Sequence, residues 1–167
     1  RPGPSGAVSS LAHMVDVTSK PQVYREATAS GEIVLKPETI QRIMEHRVEK
    51  GDVEAVASVA AVMAAKEASR IIPLAHPVPI TGVDVKFDYG RDRVRVTVTV
   101  RTKAETGVEM DALTGLMAAL LTVWDMVKQY EKDEEGQYPW TAITDVRVLR
   151  KVKGAEEALP PQAGRQD

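Results

Sequence analysis

The most constraining stretch of the sequence runs from Glu105 to Lys128 and reads ETGVEMDALTGLMAALLTVWDMVK. Between Val108 and Val127 it is apolar on nearly every face and rich in strong helix formers, which predicts a helix that is buried all round. A chain of 167 residues can cover one side of such a helix with its own sheet. We expect another subunit to cover the other side.

The polar side chains of this helix recur at helical spacing, and Asp125 stands three residues before Lys128. The two side chains are therefore neighbours on one surface. One interpretation is an ion pair near a helix C-terminus, where a lysine also complements the macrodipole. The other is an acid/base pair in a dry pocket, in which each charge sets the pKa of the other. The stretch alone favours the ion pair.

Composition excludes several classes of function. The net charge of −2 and the small number of aromatic residues (one Phe, two Trp, four Tyr) argue against a nucleic-acid surface. The absence of Cys excludes disulfides and thiolate chemistry, and the three His are far apart in sequence, so no metal site is predicted. We see no signal peptide and no apolar run long enough to cross a membrane, and we expect a cytoplasmic protein.

Hydrophobic periodicity predicts seven elements in the order β-α-α-β-β-α-β. The clearest is a hairpin, in which Val83–Tyr89 and Val94–Val100 each alternate apolar with polar residues. The other predicted elements are a strand Val23–Leu35, a helix from Pro37, a helix from Val53 to about Arg70 capped by Asp52, the apolar helix, and a strand Ala142–Leu149. Without one helix this order is the ferredoxin-like plan, an α+β fold with an antiparallel sheet and helices packed on one face.

One domain accounts for most of the chain. Residues 1–12 are rich in Pro, Gly and Ser and predict a disordered N-terminal arm. We predict a single catalytic domain over 13–151 and a flexible tail over 152–167, because the sequence after Leu149 looks frayed.

Charged residues at apolar or rigid positions point to a site. His76 lies in a segment stiffened by Pro73, Pro77 and Pro79, where it either caps a carbonyl or is held for catalysis or binding. Arg25 interrupts an apolar strand face, either as an edge side chain reaching solvent or as a phosphate ligand. Lys50 precedes a helix, and two acids, Glu109 and Asp111, begin the apolar helix. Charges on a buried helix are costly unless they are paired, so their accumulation there predicts a site.

Five blocks of the sequence carry a family resemblance: HMVDVTSK, KGDV, IPLAHP, GVEMDALTG and LTVWDMVK. Together they resemble the molybdenum cofactor biosynthesis protein C family, the cyclic pyranopterin monophosphate synthases, from about His13 to Lys151. The chain departs from the family at Ala75 and Val127, where Cys is usual or frequent, and at Asp111, where Glu is usual. The lost thiols indicate that Cys is not required for the chemistry.

The resemblance implies a ferredoxin-like homohexamer, a trimer of dimers with its active site at the dimer interface. It implies conversion of (8S)-3′,8-cyclo-7,8-dihydroguanosine 5′-triphosphate to cyclic pyranopterin monophosphate with release of pyrophosphate. By motif, Asp125 and Lys128 resemble the catalytic pair. The substrate-binding positions that it implies are Leu74, Ala75, His76, Met110, Asp111, Glu109, Lys50, Lys20 and Arg25. Lys151 and Lys153, at the start of the tail, match the family pattern only weakly.

The residue types suit this reaction. Ring opening and rebuilding need protons moved at nitrogen and oxygen, which a carboxylate and an amine with shifted pKa values can do. Fixed cations stabilise a leaving pyrophosphate, and Mg²⁺ could bridge the triphosphate, although no ligand cluster predicts a metal site. We assign Asp125 as acid/base, Lys128 as its partner or as the proton donor, and His76 as an orienting group. The alternative is a non-catalytic ferredoxin-like module that binds a small anionic effector at an oligomer interface.

Overall fold

The computed structural model describes residues 11–154, which form seven elements in the predicted order. The predicted disorder of residues 1–10 and the predicted flexibility of 155–167 lie outside the described residues. The elements are β1 (Val23–Val34), α1 (Pro37–Met44), α2 (Val53–Ile71), β2 (Ile80–Tyr89), β3 (Arg93–Ala104), α3 (Glu109–Glu131) and β4 (Ala142–Lys153).

The strands form one sheet in the order β2-β3-β1-β4, and every neighbouring pair is antiparallel. This is the predicted α+β, ferredoxin-like arrangement. Alternate side chains of β3 (Val94, Val96, Val98 and Val100) are at most 1% exposed and form the centre of the core with the helices. The opposite face of the sheet carries ion pairs instead, as where Arg101 contacts both Glu26 and Asp84. Helices therefore pack on one face only.

Local signals set the helix boundaries. Pro37 occupies the first turn of α1, and the Asp52 carboxylate caps α2 by accepting a hydrogen bond from the Ala55 amide at 3.0 Å. Past Ile71 the backbone becomes extended at Ile72, just before Pro73, as expected for a residue that precedes proline.

Strand β4 is longer than predicted. The prediction ended it at Leu149 and assigned the next residues to a frayed tail, but the strand continues to Lys153. The reason is pairing with β1: Lys153 lies opposite Arg25 and Lys151 lies opposite Ala27, so the β1 backbone supplies hydrogen-bond partners for this polar stretch. Side-chain periodicity could not reveal this extension.

Helices α2 and α3 are antiparallel and meet along a seam of small residues, here called the alanine–glycine seam. It consists of Ala57, Ala61 and Ala65 of α2, all at most 1% exposed, and Gly115 of α3. A Cβ at Gly115 would lie 2.8 Å from the Ala61 carbonyl oxygen, closer than real Cβ atoms come. The seam therefore brings the two backbones into direct contact.

Helix α3 is buried on one side within the single chain. Leu116, Leu120, Val123 and Val127 are at most 1% exposed, whereas Leu121 is 55% exposed. By length and composition alone this helix could cross a membrane, which corrects the expectation that no apolar run is long enough. Half of the apolar stretch that meets this criterion is buried inside the chain, and the core helix of a soluble protein has the same length and composition.

Candidate active site

Three predicted site residues meet at the C-terminal end of α3, and we call them the lysine–aspartate cluster. The Lys128 ammonium lies 3.1 Å from Oδ1 of Asp125, one turn along the helix. Lys50, from the segment between α1 and α2, places its ammonium 3.2 Å from Oδ2 of the same carboxylate and 3.2 Å from the Asp125 carbonyl oxygen. Asp125 is thus held between two lysines that come from different parts of the chain.

The cluster is open to solvent in the single chain. The Asp125 side chain is 59% exposed, so the dry pocket weighed from the sequence is absent from the surroundings that residues 11–154 provide. Lys128, followed by Lys50, lowers the pKa of Asp125 below its ordinary value, because each ammonium donates a hydrogen bond to the ionised carboxylate. Asp125 is therefore a carboxylate at neutral pH, suited to accept a proton or to hold a cation in place.

A second group of charges surrounds the start of α3, and we call it the N-terminal cluster. Arg25 donates from Nη2 to the Glu105 carbonyl oxygen at 3.1 Å, and Lys151 lies 3.3 Å from Oε1 of Glu109. Arg25 Nε and Glu109 Oε2 are buried and have no hydrogen-bond partner within residues 11–154. Buried polar atoms are nearly always paired, so these two atoms call for a partner from outside residues 11–154, whether water, another subunit or a ligand.

Asp111 belongs to the same end of α3 and is only 6% exposed. Burial, with the nearby Glu109 charge adding to it, raises the pKa of Asp111 to about 6, against 3.8 for a free side chain. An acid in the first turn of a helix is ordinarily favoured by the macrodipole. At Asp111 burial makes the ionised form costly instead.

We predict that Asp111→Asn stabilises the fold at neutral pH. Folding raises the pKa of this carboxyl group, so its ionised form lowers the free energy of unfolding. Below about pH 4 the group is protonated in both the folded and the unfolded state and has no such effect, whereas above about pH 6 the full destabilisation is present. The gain should therefore be about 1 to 3 kcal/mol at pH 7.5 and should vanish toward pH 4. Denaturant unfolding of both proteins at equal protomer concentration measures it. Asp88→Asn, at an exposed carboxylate, is the control and should change stability little at any pH. A loss of stability in Asp111→Asn at pH 7.5 would contradict the prediction.

His76 lies beside the segment that precedes β1. Its Nε2 is 2.5 Å from the carbonyl oxygen of Val15, and because a carbonyl only accepts, Nε2 carries the hydrogen. The two segments line a groove of about 570 Å³ together with Glu105 and Thr106. The structure thus favours the carbonyl-capping interpretation of His76, and it places the ring near the beginning of α3.

The remaining predicted residues also lie away from the lysine–aspartate cluster. Leu74 and Met110 are 47% and 38% exposed, respectively. Ala75 donates its amide to the Ile72 carbonyl oxygen in a turn at 3.1 Å, and Lys20 closes another turn onto Val17 at 3.0 Å. No contact joins any of these four residues to Asp125 within the part of the chain that the structure describes.

The charged site residues therefore form two clusters at opposite ends of one helix, and Leu74, Ala75 and Lys20 make no hydrogen bond or ion pair with either of them among the described residues. Asp111 and Lys128 are 17 positions apart on α3, which corresponds to about 25 Å along a helix. Within one chain, Asp111 and Lys128 are too far apart to contact the same reacting atom.

Two supporting residues at the C-terminal end of α3 escaped the sequence analysis. Glu131 is fully buried and accepts hydrogen bonds from the Lys36 amide and from Thr39 and Thr141. Tyr130 accepts a hydrogen bond from the Glu49 amide at 2.9 Å. Their partners are 81 or more positions away except for Thr141, so helical periodicity carried no signal for them.

The chain resembles proteins of known family. Residues 14–154 match the MoaC family. A probable cyclic pyranopterin monophosphate synthase of Pyrococcus furiosus is 56% identical over 140 residues, 84% of this chain and 90% of that protein. Another from Methanosarcina acetivorans is 56% identical over 143 residues, 86% of this chain and 90% of that protein.

A third relative carries a different name. A probable cyclic pyranopterin monophosphate synthase accessory protein of Methanothermobacter thermautotrophicus is 57% identical over 140 residues, 84% of this chain and 88% of that protein. The match to the family spans nearly all of the described residues and includes both charged clusters. The chain belongs to the MoaC family.

Proposed function

We propose that this protein is a cyclic pyranopterin monophosphate synthase, a lyase of molybdenum cofactor biosynthesis. Its substrate is (8S)-3′,8-cyclo-7,8-dihydroguanosine 5′-triphosphate, and its products are cyclic pyranopterin monophosphate and pyrophosphate. The observation that carries the proposal is the Asp125 carboxylate held between Lys128 and Lys50 in a chain of the MoaC family.

The lysine–aspartate cluster supplies the groups for proton transfer. Asp125 is ionised at neutral pH and can accept a proton from the dihydropurine as its ring opens. Lys128 and Lys50 can donate hydrogen bonds to oxygen atoms that gain negative charge, and either ammonium can return a proton. The carboxylate also keeps both cations in position when no substrate is bound.

The N-terminal cluster suits the triphosphate. Arg25 presents a guanidinium whose Nε has no partner among the described residues, and Lys151 contributes the ammonium that contacts Glu109 in the same cluster. We assign Lys20 to the same task, and His76 with its groove to orienting the substrate. Fixed cations stabilise pyrophosphate as it leaves, and this proposal assigns no metal site to the chain.

We further propose a homohexamer, a trimer of dimers, in which each site draws on two chains. The exposed surfaces of the two long helices support this assembly: Val59 and Met63 of α2 are 58% and 61% exposed, and Leu121 of α3 is 55% exposed. Large apolar side chains left exposed on a helix surface are typical of an interface when they lie together. The 25 Å or so between the clusters of one chain supports a shared site, because a twofold axis can bring opposite helix ends together. We expect the protein in the cytoplasm.

The test is Asp125→Asn, with pyrophosphate release and substrate binding measured together. We expect turnover to fall more than about 100-fold, because the proton acceptor is lost, while binding is kept or tightened by the loss of a negative charge. Asp88→Asn, which removes only an exposed contact to Lys86 at 3.8 Å, is the control. Wild-type protein that binds the substrate and releases no pyrophosphate would favour the alternative, a module that binds an anionic effector.

A further inference from the structure

Lys50 lies in a segment that has little helical or sheet structure to hold it. Residues 45–52 connect α1 with α2, and both Glu49 and Lys50 are exposed. Gly51 has a φ of 113°, a conformation that residues with side chains rarely adopt. Val48 anchors the segment in the core, and the Gly51 amide donates to the Val48 carbonyl oxygen at 3.1 Å, which closes a turn around Glu49 and Lys50. The orientation of that exposed turn would still vary unless another element fixed its backbone.

Tyr130 of α3 supplies that fixation. Its hydroxyl oxygen accepts a hydrogen bond from the Glu49 amide at 2.9 Å, directly before Lys50. The preceding helix residue adds a side-chain contact, because Gln129 Nε2 donates to Oε2 of Glu49 at 3.0 Å. Two consecutive residues of α3 therefore hold the residue that comes before Lys50.

Tyr130 is itself fixed through its ring and through its main chain. The Arg42 guanidinium lies over its ring at 4.4 Å from the ring centroid, a cation–π contact from α1. The Lys36 ammonium lies 3.3 Å from its carbonyl oxygen. The next residue, Glu131, is buried among donors from Lys36, Thr39 and Thr141, which fixes the last turn of α3. The hydroxyl of Tyr130 is thus presented from a rigid position.

We propose that Tyr130 is a positioning residue of the active site: its hydroxyl fixes the backbone at Glu49 so that the Lys50 ammonium reaches Asp125. The inference rests on the proposed function for its effect on turnover, and it rests on geometry alone for its effect on the Lys50 segment. Asp125, Lys128 and Tyr130 lie within two turns of α3. The same helix end therefore carries two of the reacting groups and positions the third, Lys50.

The test compares Tyr130→Phe with Tyr138→Phe and the wild type. Tyr138 packs edge-on against Trp124 at a centroid distance of 5.2 Å, so its variant controls for the loss of one hydroxyl group near α3. The first readout is trypsin cleavage of the native protein after Lys50, identified by fragment mass. The second is the separate change in kcat and KM for pyrophosphate release. Thermal unfolding confirms that all three proteins remain folded.

In Tyr130→Phe we expect cleavage after Lys50 to be about fivefold faster, because the segment opens more often once its amide loses the acceptor. We expect kcat to fall about tenfold with little change in KM, since a misplaced catalytic group lowers the rate more than binding. Tyr138→Phe should behave as the wild type in both readouts.

The two readouts separate the possible failures. Cleavage at the wild-type rate in Tyr130→Phe would overturn the proposal, whatever the activity. Faster cleavage with unchanged kcat would also overturn it, because the hold on the segment would then not serve the site. If the wild type releases no pyrophosphate, the proposed function fails, and the cleavage result still decides whether Tyr130 holds the Lys50 segment.

Discussion

Lys128→Ala is expected to assemble like the wild type and to lose turnover by about 1,000-fold or more. The side chain is 42% exposed in the single chain, so its removal leaves no large core cavity. Lys50 still neutralises Asp125 at 3.2 Å, which keeps the local charge balanced. The substitution should therefore lower the catalytic rate without unfolding the protein.

The pH dependence of any residual activity gives a second measurement on this variant. Lys128 is the largest cause of the lowered pKa of Asp125, so its removal raises that pKa toward the ordinary value. If ionised Asp125 is the proton acceptor, the acidic limb of the residual rate moves to higher pH.

Lys132→Ala is the matched control for this prediction. It removes another lysine one turn further along, at the C-terminal cap of α3, and its ammonium lies 5.9 Å from the Tyr138 ring centroid. Its turnover should equal that of the wild type. A monomeric or unfolded Lys128→Ala protein would show that the residue is structural, and normal turnover would remove it from the mechanism.

The second large effect is recovery of activity from two inactive proteins. Asp111→Asn and Lys128→Ala are each expected to be inactive alone, because every active site of such a homo-oligomer contains the substituted residue. If a site combines the N-terminal cluster of one chain with the lysine–aspartate cluster of its partner, a mixed dimer contains one site with both defects and one intact site. The two proteins are dissociated, mixed in equal amounts and reassembled before assay.

Random reassembly makes half of the dimers mixed, and half of the sites in those are intact, so about a quarter of wild-type activity should return. Reassembly of each variant with itself should restore none, which controls for the treatment. Differently tagged chains, captured through one tag, establish that mixed oligomers have formed. Mixed oligomers that remain inactive would show that Asp111 and Lys128 do not serve the same shared site.

The order of the elements could be predicted because each one carries its own local signal. The alternation of Val83–Tyr89 and Val94–Val100 indicated the β2–β3 hairpin, and Pro37 and Asp52 marked two helix starts that the structure confirms. The extension of β4 to Lys153 was missed, since it depends on pairing with β1 and not on the polar residues themselves.

Within the site, spacing along one helix predicted the contact between Asp125 and Lys128, which lie 3.1 Å apart. The convergence of Lys50 on the same carboxylate spans 75 positions in the chain, and only the family resemblance linked these residues. Asp111 was predicted at the start of a buried helix, but an acid in the first turn of a helix can also be solvated and favourable, and only the surrounding atoms show that its side chain is 6% exposed.

The alanine–glycine seam has a consequence for the size of group that the lysine–aspartate cluster can accept. At Gly115 the two helices touch through main-chain atoms, so no change of side-chain rotamer can absorb a shift of α2 against α3. Lys50 precedes α2 and Asp125 lies on α3, so the distance between their backbones is set jointly by this seam and by the hydrogen bond from the Glu49 amide to Tyr130. That distance acts as a fixed gauge: a group inserted between ammonium and carboxylate must match the reach of the two side chains, because moving the helices apart to admit a larger one would open the close-packed seam.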